Sequence, residues 1–255
     1  MNAIIHIGPP KTASTALQNA IIPQLGRPFL IKPDWLRPLC HKTDYPTPDI
    51  SNLPPDIIIS DEIIGAFATF SPETIADRLS RVFRTATVVF VKRDNVELFY
   101  SLYRQILTNV AHVQGKTAAQ GKPLTFAPVT IDSYFDKNLR SYRGGRHGFF
   151  AVIRDDAVRF VFERYFTFRV VEFDLLKTRP SEFVSAFSLA CGCKHVAEMP
   201  VENKTEESNF VELVNSLPPQ VPKSQLIDCY LSKLSPDREN YIRNFAMLGS
   251  EQSFA

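Results

Sequence analysis

AIIHIGPPKTAST, residues 3–15, is the stretch of sequence that decides the fold. It opens with an apolar run, Ala3–Ile7, of the kind that forms a buried strand in a parallel sheet. Gly8-Pro9-Pro10 ends that strand, because glycine and proline together interrupt regular structure. Apolar residues then repeat at helical spacing from Ser14 to Leu25, and Gly26 supplies a stop. The stretch therefore predicts a strand, a tight loop and a helix in direct succession.

Similar apolar runs recur along the chain and extend this beginning into a sheet. They predict strands at Phe29–Ile31, Asp56–Ser60, Thr87–Val91 and Arg169–Phe173. Helices are predicted at Pro72–Arg84, Asn95–Val113, Ile131–Leu139, Asp155–Tyr165, Pro180–Ala190, Phe210–Leu217 and Asp237–Met247. Strands that alternate with helices predict an α/β fold, a central parallel β-sheet flanked by helices. We expect a single α/β domain over residues 1–255, with loops at 32–55 and 114–128.

Composition and charge narrow the class of protein. The net charge is +2, charged residues make up 22% of the chain and no basic run occurs, so no nucleic-acid partner is expected. No apolar stretch approaches the roughly 20 residues that a membrane span needs, and the N-terminal residues lack a signal-peptide pattern. Four scattered cysteines do not make a disulfide framework, which favours a cytoplasmic protein. Nothing in the sequence selects an oligomeric state.

The loop that joins the first strand to the first helix has the composition of an anion site. Backbone N–H groups in such a turn form a concave surface that binds anions, and the following helix N-terminus reinforces it. Lys11 adds a positive charge to this loop. Hydroxyl donors come from Thr12, Ser14 and Thr15, although the last two are also suited to capping the helix. The loop is not a Walker A motif, because no glycine precedes Lys11.

Charged residues also follow two later strands of the predicted sheet. Asp61 and Glu62 come directly after one strand, and Lys92-Arg93-Asp94 closes the next. Ligands of open parallel sheets bind beyond the carboxyl ends of the strands, so these groups should converge on one crevice with Lys11. His6, by contrast, lies inside the first strand and is expected to be a core histidine.

Two segments of the chain resemble sulfotransferases that use 3′-phosphoadenosine 5′-phosphosulfate (PAPS). HIGPPKTASTALQ, residues 6–18, resembles the bacterial form of the loop that binds the 5′-phosphosulfate, although the family often has glycine where Ala13 stands. VVFVKRDNVELFYSLYRQ, residues 88–105, resembles the family's 3′-phosphate signature, with Arg93 at the strand end and Ser101 eight residues later on a helix. Asn203-Lys204-Thr205 resembles a C-terminal segment of many bacterial members.

The resemblance implies a P-loop NTPase-like sulfotransferase fold and a set of roles for these residues. The 5′-phosphosulfate would be held by Pro10, Lys11, Thr12, Ala13, Ser14 and Thr15, and the 3′-phosphate by Arg93 and Ser101. Lys11 would act on the leaving phosphate, and Glu62 would be the general base, with Asp61 sharing or taking that role. The implied reaction needs no metal and leaves adenosine 3′,5′-bisphosphate (PAP). The acceptor would be a hydroxyl of a carbohydrate or another small molecule.

Two other functions remain open from the sequence. A P-loop-type small-molecule kinase keeps the fold and the phosphate loop, and Asp61 could then stand for its magnesium-binding acid. A catalytically silent nucleotide-binding protein also keeps both, but Lys11 and Glu62 would then be dispensable. Either Asp61 or Glu62 could also simply cap a helix that begins near Ile63. Cys191 and Cys193 lack a second ligand pair at zinc-site spacing, so no metal site is predicted.

Overall fold

A computed structural model describes residues 2–62, 64, 70–124, 129–143, 149–153, 155–194 and 207–251 of the 255-residue chain. Contacts between residues divide the chain into two compact units. The first unit comprises Met1–Asp94, Phe150–Pro200 and Phe245–Ala255, and the second comprises Asn95–Phe149 and Val201–Asn244. The candidate phosphate loop, residues 8–15, belongs to the first unit.

The first unit is built on a parallel sheet. Over the described residues the strands are β1 (Asn2–Ile7), β2 (Phe29–Ile31), β3 (Ile58–Ser60), β4 (Thr85–Lys92) and β5 (Thr167–Glu172). They lie in the order β2-β3-β1-β4-β5, and every pair of neighbours is parallel. The chain leaves β1 toward one side of the sheet and leaves β4 toward the other. The carboxyl ends of β1 and β4 are therefore a topological switch point, where sheets of this kind bind ligands.

The helices follow the predicted pattern, with several differences in their bounds. Over the described residues they are α1 (Ser14–Ala16), α2 (Leu36–His41), α3 (Pro72–Val82), α4 (Asn95–Ala119), α5 (Ile131–Arg143), α6 (Phe149–Val152), α7 (Asp155–Phe162), α8 (Asp174–Thr178), α9 (Pro180–Ala190), α10 (Glu207–Ser216), α11 (Lys223–Leu231) and α12 (Pro236–Glu251). The helix predicted after the phosphate loop continues from α1 as a π turn, Leu17–Ile21, and a 3₁₀ turn, Ile22–Leu25.

Two stretches predicted as loops contain helix. Residues 32–55, predicted to be mostly loop, contain the short helix α2. The prediction that α4 ends near Val113 was wrong, because Gly115 lies inside the helix. A Cβ atom at Gly115 would lie 2.7 Å from Leu217 Cδ2, so this glycine allows close packing within the second unit. In this position glycine serves packing and does not end the helix.

Helices cover both faces of the sheet, as an all-parallel sheet requires. Ile5 and Ile7 of β1 face one apolar layer, whose members from α2, α3 and α7 are Leu36, Leu39, Ile75, Leu79, Val158 and Phe162. Ile4 faces the opposite layer, with members Leu17, Ile21, Phe183 and Phe187 from the π turn and α9. This arrangement confirms the predicted α/β class, a central parallel sheet flanked by helices. Among the described helices, none is both long and apolar enough to cross a membrane.

The second unit is helical in its described part. Its core is rich in aromatic rings: Phe99 of α4 lies 5.0 Å from Phe149 between ring centroids, and Phe210 stacks on Tyr230 at 4.0 Å. The Tyr103 hydroxyl, in a buried side chain, donates a hydrogen bond of 2.9 Å to the carbonyl of Val129. The α4 helix supplies Phe99 and Tyr103 to these contacts.

Candidate functional site

In the first unit, the backbone of the phosphate loop has an unusual conformation at two residues. Lys11 has φ 69° and Ala13 has φ 58°, a left-handed conformation that few non-glycine residues adopt. None of the backbone N–H groups of residues 11–15 donates a hydrogen bond to a backbone carbonyl of the described residues. Successive N–H groups in such a turn form a concave surface with partial positive charge. The loop therefore presents donors without acceptors at the position where an anion was expected.

Internal contacts hold this loop in shape. The Thr12 hydroxyl, in a fully buried side chain, donates a hydrogen bond of 2.7 Å to the carbonyl of Pro9 and lies 3.4 Å from Ser14 Oγ. A Cβ atom at Gly8 would lie 3.3 Å from the Val91 carbonyl oxygen, which is tighter than most real contacts. Glycine is thus needed where the loop leaves β1 beside β4. Thr15 is exposed, while Pro10 is buried.

Arg93 joins the phosphate loop to the ends of β4 and β5. Its Nη1 donates a hydrogen bond of 2.6 Å to the carbonyl of Lys11. Its Cζ lies 4.6 Å from the centroid of the Phe173 ring, a distance at which a cation and an aromatic face attract. Burial lowers the pKa of Arg93, and the carboxylates of Asp174 and Asp94 oppose that shift. The structure thus brings Lys11 and Arg93 together at the switch point of the sheet.

Lys11 lies within electrostatic range of two charged groups. Its pKa is lowered, first by burial and then by the positive charge of Arg93, while the carboxylate of Glu62 acts in the opposite direction. The Lys11 ammonium is therefore accompanied by one cation and one anion, both supplied by strand ends. A cation in this setting is partly stripped of water, which strengthens its interaction with a bound anion.

Asp61 and Glu62 have different surroundings, although they are adjacent in the chain. Asp61 is buried, with only 6% of its surface exposed. Its charge acts on the Cys40 thiol of α2, whose pKa is raised to about 12, first by burial and then by Asp61, against the opposing effect of Arg78. Glu62 is half-buried, and its charge acts on Lys11. The two carboxylates therefore act on different groups: Asp61 acts on Cys40, and Glu62 acts on Lys11.

Ser101 lies on α4, in the second unit, and is half-buried. The eight-residue spacing from Arg93 that marks the motif is present in the sequence, and its pairing with Arg93 on one phosphate stays a prediction. Asn203-Lys204-Thr205 lies outside the described residues.

Sequence reasoning missed Lys177 and Phe173. Lys177, on α8, has its Nζ 5.9 Å from the centroid of the same Phe173 ring that Arg93 contacts. The pKa of Lys177 is lowered, first by burial and then by the charge of Arg93, against the opposing charge of Asp94. A 3.6 Å ion pair also joins Lys177 to Asp174. Lys177 lies five residues beyond the end of β5, and its place near Arg93 depends on β5 lying beside β4.

Within the described part of the chain, no group of three or more His, Cys, Asp or Glu residues is arranged to hold a metal ion. Cys191 and Cys193 are buried free thiols, and burial raises the pKa of Cys191 to about 12. A thiol that resists deprotonation is a poor metal ligand.

The chain was compared with known proteins. No family model matches it, and no curated protein matches it. Among solved structures, it is similar to a sulfotransferase from Alicyclobacillus acidocaldarius, with a TM-score of 0.51 and 14% sequence identity, over 92% of this chain and 97% of that one. It is also similar to mouse sulfotransferase SULT7A1 complexed with PAP, with a TM-score of 0.46 and 9% identity, over 99% of this chain and 85% of that one. The first likeness confirms that the chain has the sulfotransferase fold.

Proposed function

We propose that this protein is a PAPS-dependent sulfotransferase that moves a sulfuryl group to an acceptor hydroxyl. The observation that carries the proposal is the meeting of Lys11 and Arg93 at the switch point, beside a loop of N–H groups without backbone acceptors. A nucleotide that carries phosphate groups on both the 3′ and the 5′ oxygen of its ribose matches two such sets of donors. The sulfotransferase fold supports the same conclusion.

The donor groups fit PAPS chemically. Residues 11–15 supply backbone N–H groups, one ammonium and one exposed hydroxyl for the 5′-phosphosulfate, and Pro10 precedes them in the loop. Arg93 supplies a guanidinium for the 3′-phosphate, and the sequence motif adds Ser101. These groups are hydrogen-bond donors or cations, which a ligand with several negative charges requires. PAPS, when bound, supplies an activated sulfuryl group on a phosphate leaving group.

The residues then divide the chemistry between them. Glu62 accepts the proton of the acceptor hydroxyl as its oxygen bonds to sulfur. Lys11 stabilises the negative charge that develops on the phosphate oxygen as its bond to sulfur breaks. The loop amides keep the leaving phosphate in line with the attacking oxygen. Charge stabilisation comes from these fixed groups, so we propose that the reaction needs no metal.

Glu62 is the better candidate for the base. Its charge acts on Lys11, whereas the buried Asp61 acts on Cys40. We therefore expect Glu62→Gln to abolish transfer while PAP binding is kept. Asp61→Asn should instead lower stability, because it changes a buried carboxylate.

The test of this function is a titration with PAP without metal, and in parallel with ATP plus magnesium, by calorimetry and melting temperature. A ligand that binds only the folded state raises the melting temperature with its concentration. We expect micromolar PAP binding that Arg93→Ala abolishes and that Arg159→Ala preserves, since Arg159 is an exposed residue paired with Glu163. Binding of ATP–magnesium alone would instead indicate a small-molecule kinase. Binding of neither ligand would leave no nucleotide function.

The acceptor and the compartment are also proposed. A carboxylate base suits a carbohydrate or another small alcohol, whose hydroxyl must lose its proton as it attacks. All four cysteines are free and buried, which supports a location in the cytoplasm, where thiols stay reduced.

A further inference from the structure

A buried polar network joins three segments of the first unit. Gln18 Nε2 donates a hydrogen bond of 2.9 Å to Ser60 Oγ, and Ser60 Oγ lies 2.7 Å from His6 Nδ1. None of the three residues is more than 3% exposed. His6 and Ser60 are also partners in the β1–β3 register, so the two strands place their side chains side by side.

The direction of the hydrogen bonds follows from burial. Ser60 accepts from Gln18, so its own proton needs an acceptor inside the protein, and His6 Nδ1 is the one in contact. His6 then carries its proton on Nε2, which has no hydrogen-bond partner among the described residues. The His6 ring lies edge-to-face with Phe187, with centroids 5.2 Å apart. The network therefore runs one way, from Gln18 through Ser60 to neutral His6.

Each member of this network adjoins a segment that the proposed function uses. His6 precedes Gly8, where the phosphate loop begins, by two residues. Gln18 follows Ser14, where the loop enters its helix, by four. Ser60 precedes Glu62 by two, and the backbone N–H of Asp61 donates a 3.2 Å hydrogen bond to the His6 carbonyl. The entrance of the loop, its exit and the turn of the candidate base are thus fixed at one buried point.

Core packing alone would not select this arrangement. Apolar side chains of similar size would fill the same space without the cost of burying polar groups. Two hydrogen bonds that join three buried side chains, in contrast, favour one geometry over others. Gln18 also lies in a π turn, a rare distortion that is frequent at functional sites.

We infer that His6, Ser60 and Gln18 form a positioning triad, which holds the phosphate loop and the Glu62 turn in the geometry that the nucleotide needs. The inference rests on the proposed function only for the identity of that nucleotide. The three residues do not touch the ligand in this scheme. They act through the loop, whose N–H groups must already point inward when the ligand arrives.

The test separates positioning from stability by comparing two variants of His6. His6→Asn keeps an acceptor near the position of Nδ1 but loses the ring, whereas His6→Phe keeps the ring and loses the acceptor. We expect His6→Asn to bind PAP within about threefold of the wild type despite a lower melting temperature. His6→Phe should bind PAP about tenfold more weakly, because one hydrogen bond of the network is lost. Affinity that instead follows melting temperature would overturn the triad.

A second readout does not depend on PAP. The N–H groups of Leu17 and Asp61, which donate hydrogen bonds to the carbonyls of Ala13 and His6, should exchange with solvent faster in Ser60→Ala than in the wild type. Ser188→Ala is the matched control, because Ser188 is equally buried in the same unit and its Oγ has no hydrogen-bond partner among the described residues. Equal exchange in the two serine variants would overturn the inference. Absence of PAP binding in the wild type would remove the proposed function, and the exchange comparison would then decide the triad by itself.

Discussion

Ala13 has a backbone conformation in the phosphate loop that favours glycine. It adopts φ 58° and ψ 20°, the left-handed conformation that glycine reaches at no steric cost. An alanine there costs roughly 1–2 kcal/mol in local conformation. The rest of the loop must therefore fix this backbone strongly, and the Thr12 hydrogen bond to Pro9 is part of that constraint.

Substitutions at Ala13 should separate backbone strain from chain entropy. Ala13→Gly relieves the left-handed cost but adds about 0.4–1 kcal/mol of unfolded-chain entropy, so we expect the free energy of unfolding to change by less than about 1 kcal/mol. Ala13→Val places a branched side chain on the same left-handed backbone. This variant should lower the free energy of unfolding by roughly 1–3 kcal/mol. Urea denaturation measures both. A valine variant as stable as the wild type would contradict the left-handed geometry.

His6 predicts a pH dependence of stability. Burial lowers its pKa from 6.5 to about 4 in the folded protein. Between these values the unfolded chain binds a proton that the folded chain does not, so the free energy of unfolding falls as the pH decreases. The loss should approach about 3 kcal/mol near pH 4 and level off at lower pH, where His6 is protonated in both states. Urea denaturation at pH 7 and pH 4.5 measures it, with His6→Asn as the variant that lacks this contribution. Parallel pH profiles for the two proteins would argue against a neutral His6.

At the scale of elements, sequence periodicity predicted where helices and strands lie better than it predicted the type of helical turn. The helix over residues 14–25 was predicted, but its π turn was not. That turn directs Gln18 to Ser60, 42 residues away, and such a contact leaves no local pattern. The end of α4 was predicted too early, near Val113, because the residue that packs against Gly115, Leu217, is also far away in the sequence.

The candidate site was predictable to a similar degree. Lys11, Glu62 and Arg93 follow strands directly, so the rule for parallel sheets was enough to group them. Lys177 was missed because its proximity to Arg93 depends on β5 lying beside β4. The difference between Asp61 and Glu62 depends on Cys40 and Arg78, whose approach to β3 is a property of the folded chain.

Arg78 shows how one element organises another. Its Nη1, on α3, donates hydrogen bonds of 2.7 and 2.8 Å to the carbonyls of Leu39 and Lys42, at the end of α2. Its guanidinium lies 4.1 Å from the centroid of the Phe70 ring and 4.5 Å from that of Tyr45. A cation at a helix C-terminus satisfies carbonyls that have no partner within the helix. Arg78 thus fixes the proline-rich segment that precedes β3.

Replacement of Arg78 should therefore be costly. Arg78→Ala leaves buried carbonyls without donors, and we expect the free energy of unfolding to fall by roughly 2–4 kcal/mol. Arg81→Ala, on the same helix, removes only an exposed ion pair with Asp77. We expect this variant to change the free energy of unfolding by less than about 0.5 kcal/mol. Urea denaturation of both variants gives the comparison. Equal losses would show that α2 does not depend on the Arg78 contacts.

At the scale of the whole molecule, charge is nearly balanced. The net charge is +2 over 255 residues, so the protein has no strong overall field to attract a nucleotide. Attraction of the proposed nucleotide must then come from local cations, and Arg93 is close enough to Lys11 and to Lys177 to lower the pKa of both. A bound anion would relieve this repulsion. The local cluster therefore supplies what the overall composition does not.

If local cations attract PAP, its affinity should depend on the salt concentration in a characteristic way. Charges that lie more than about 10 Å from the ligand are screened at 0.1 M salt, whereas partly buried cations in contact with it are screened less. Lys177→Gln should weaken PAP binding by about two- to fivefold at low salt, as expected for a partly exposed cation. Lys137→Gln removes an exposed lysine from another helix, α5, and should leave the affinity unchanged. Calorimetric titrations at 50 and 500 mM salt measure both effects. If the two variants lost affinity equally, PAP would be attracted by net charge, and Lys177 would have no part in its site.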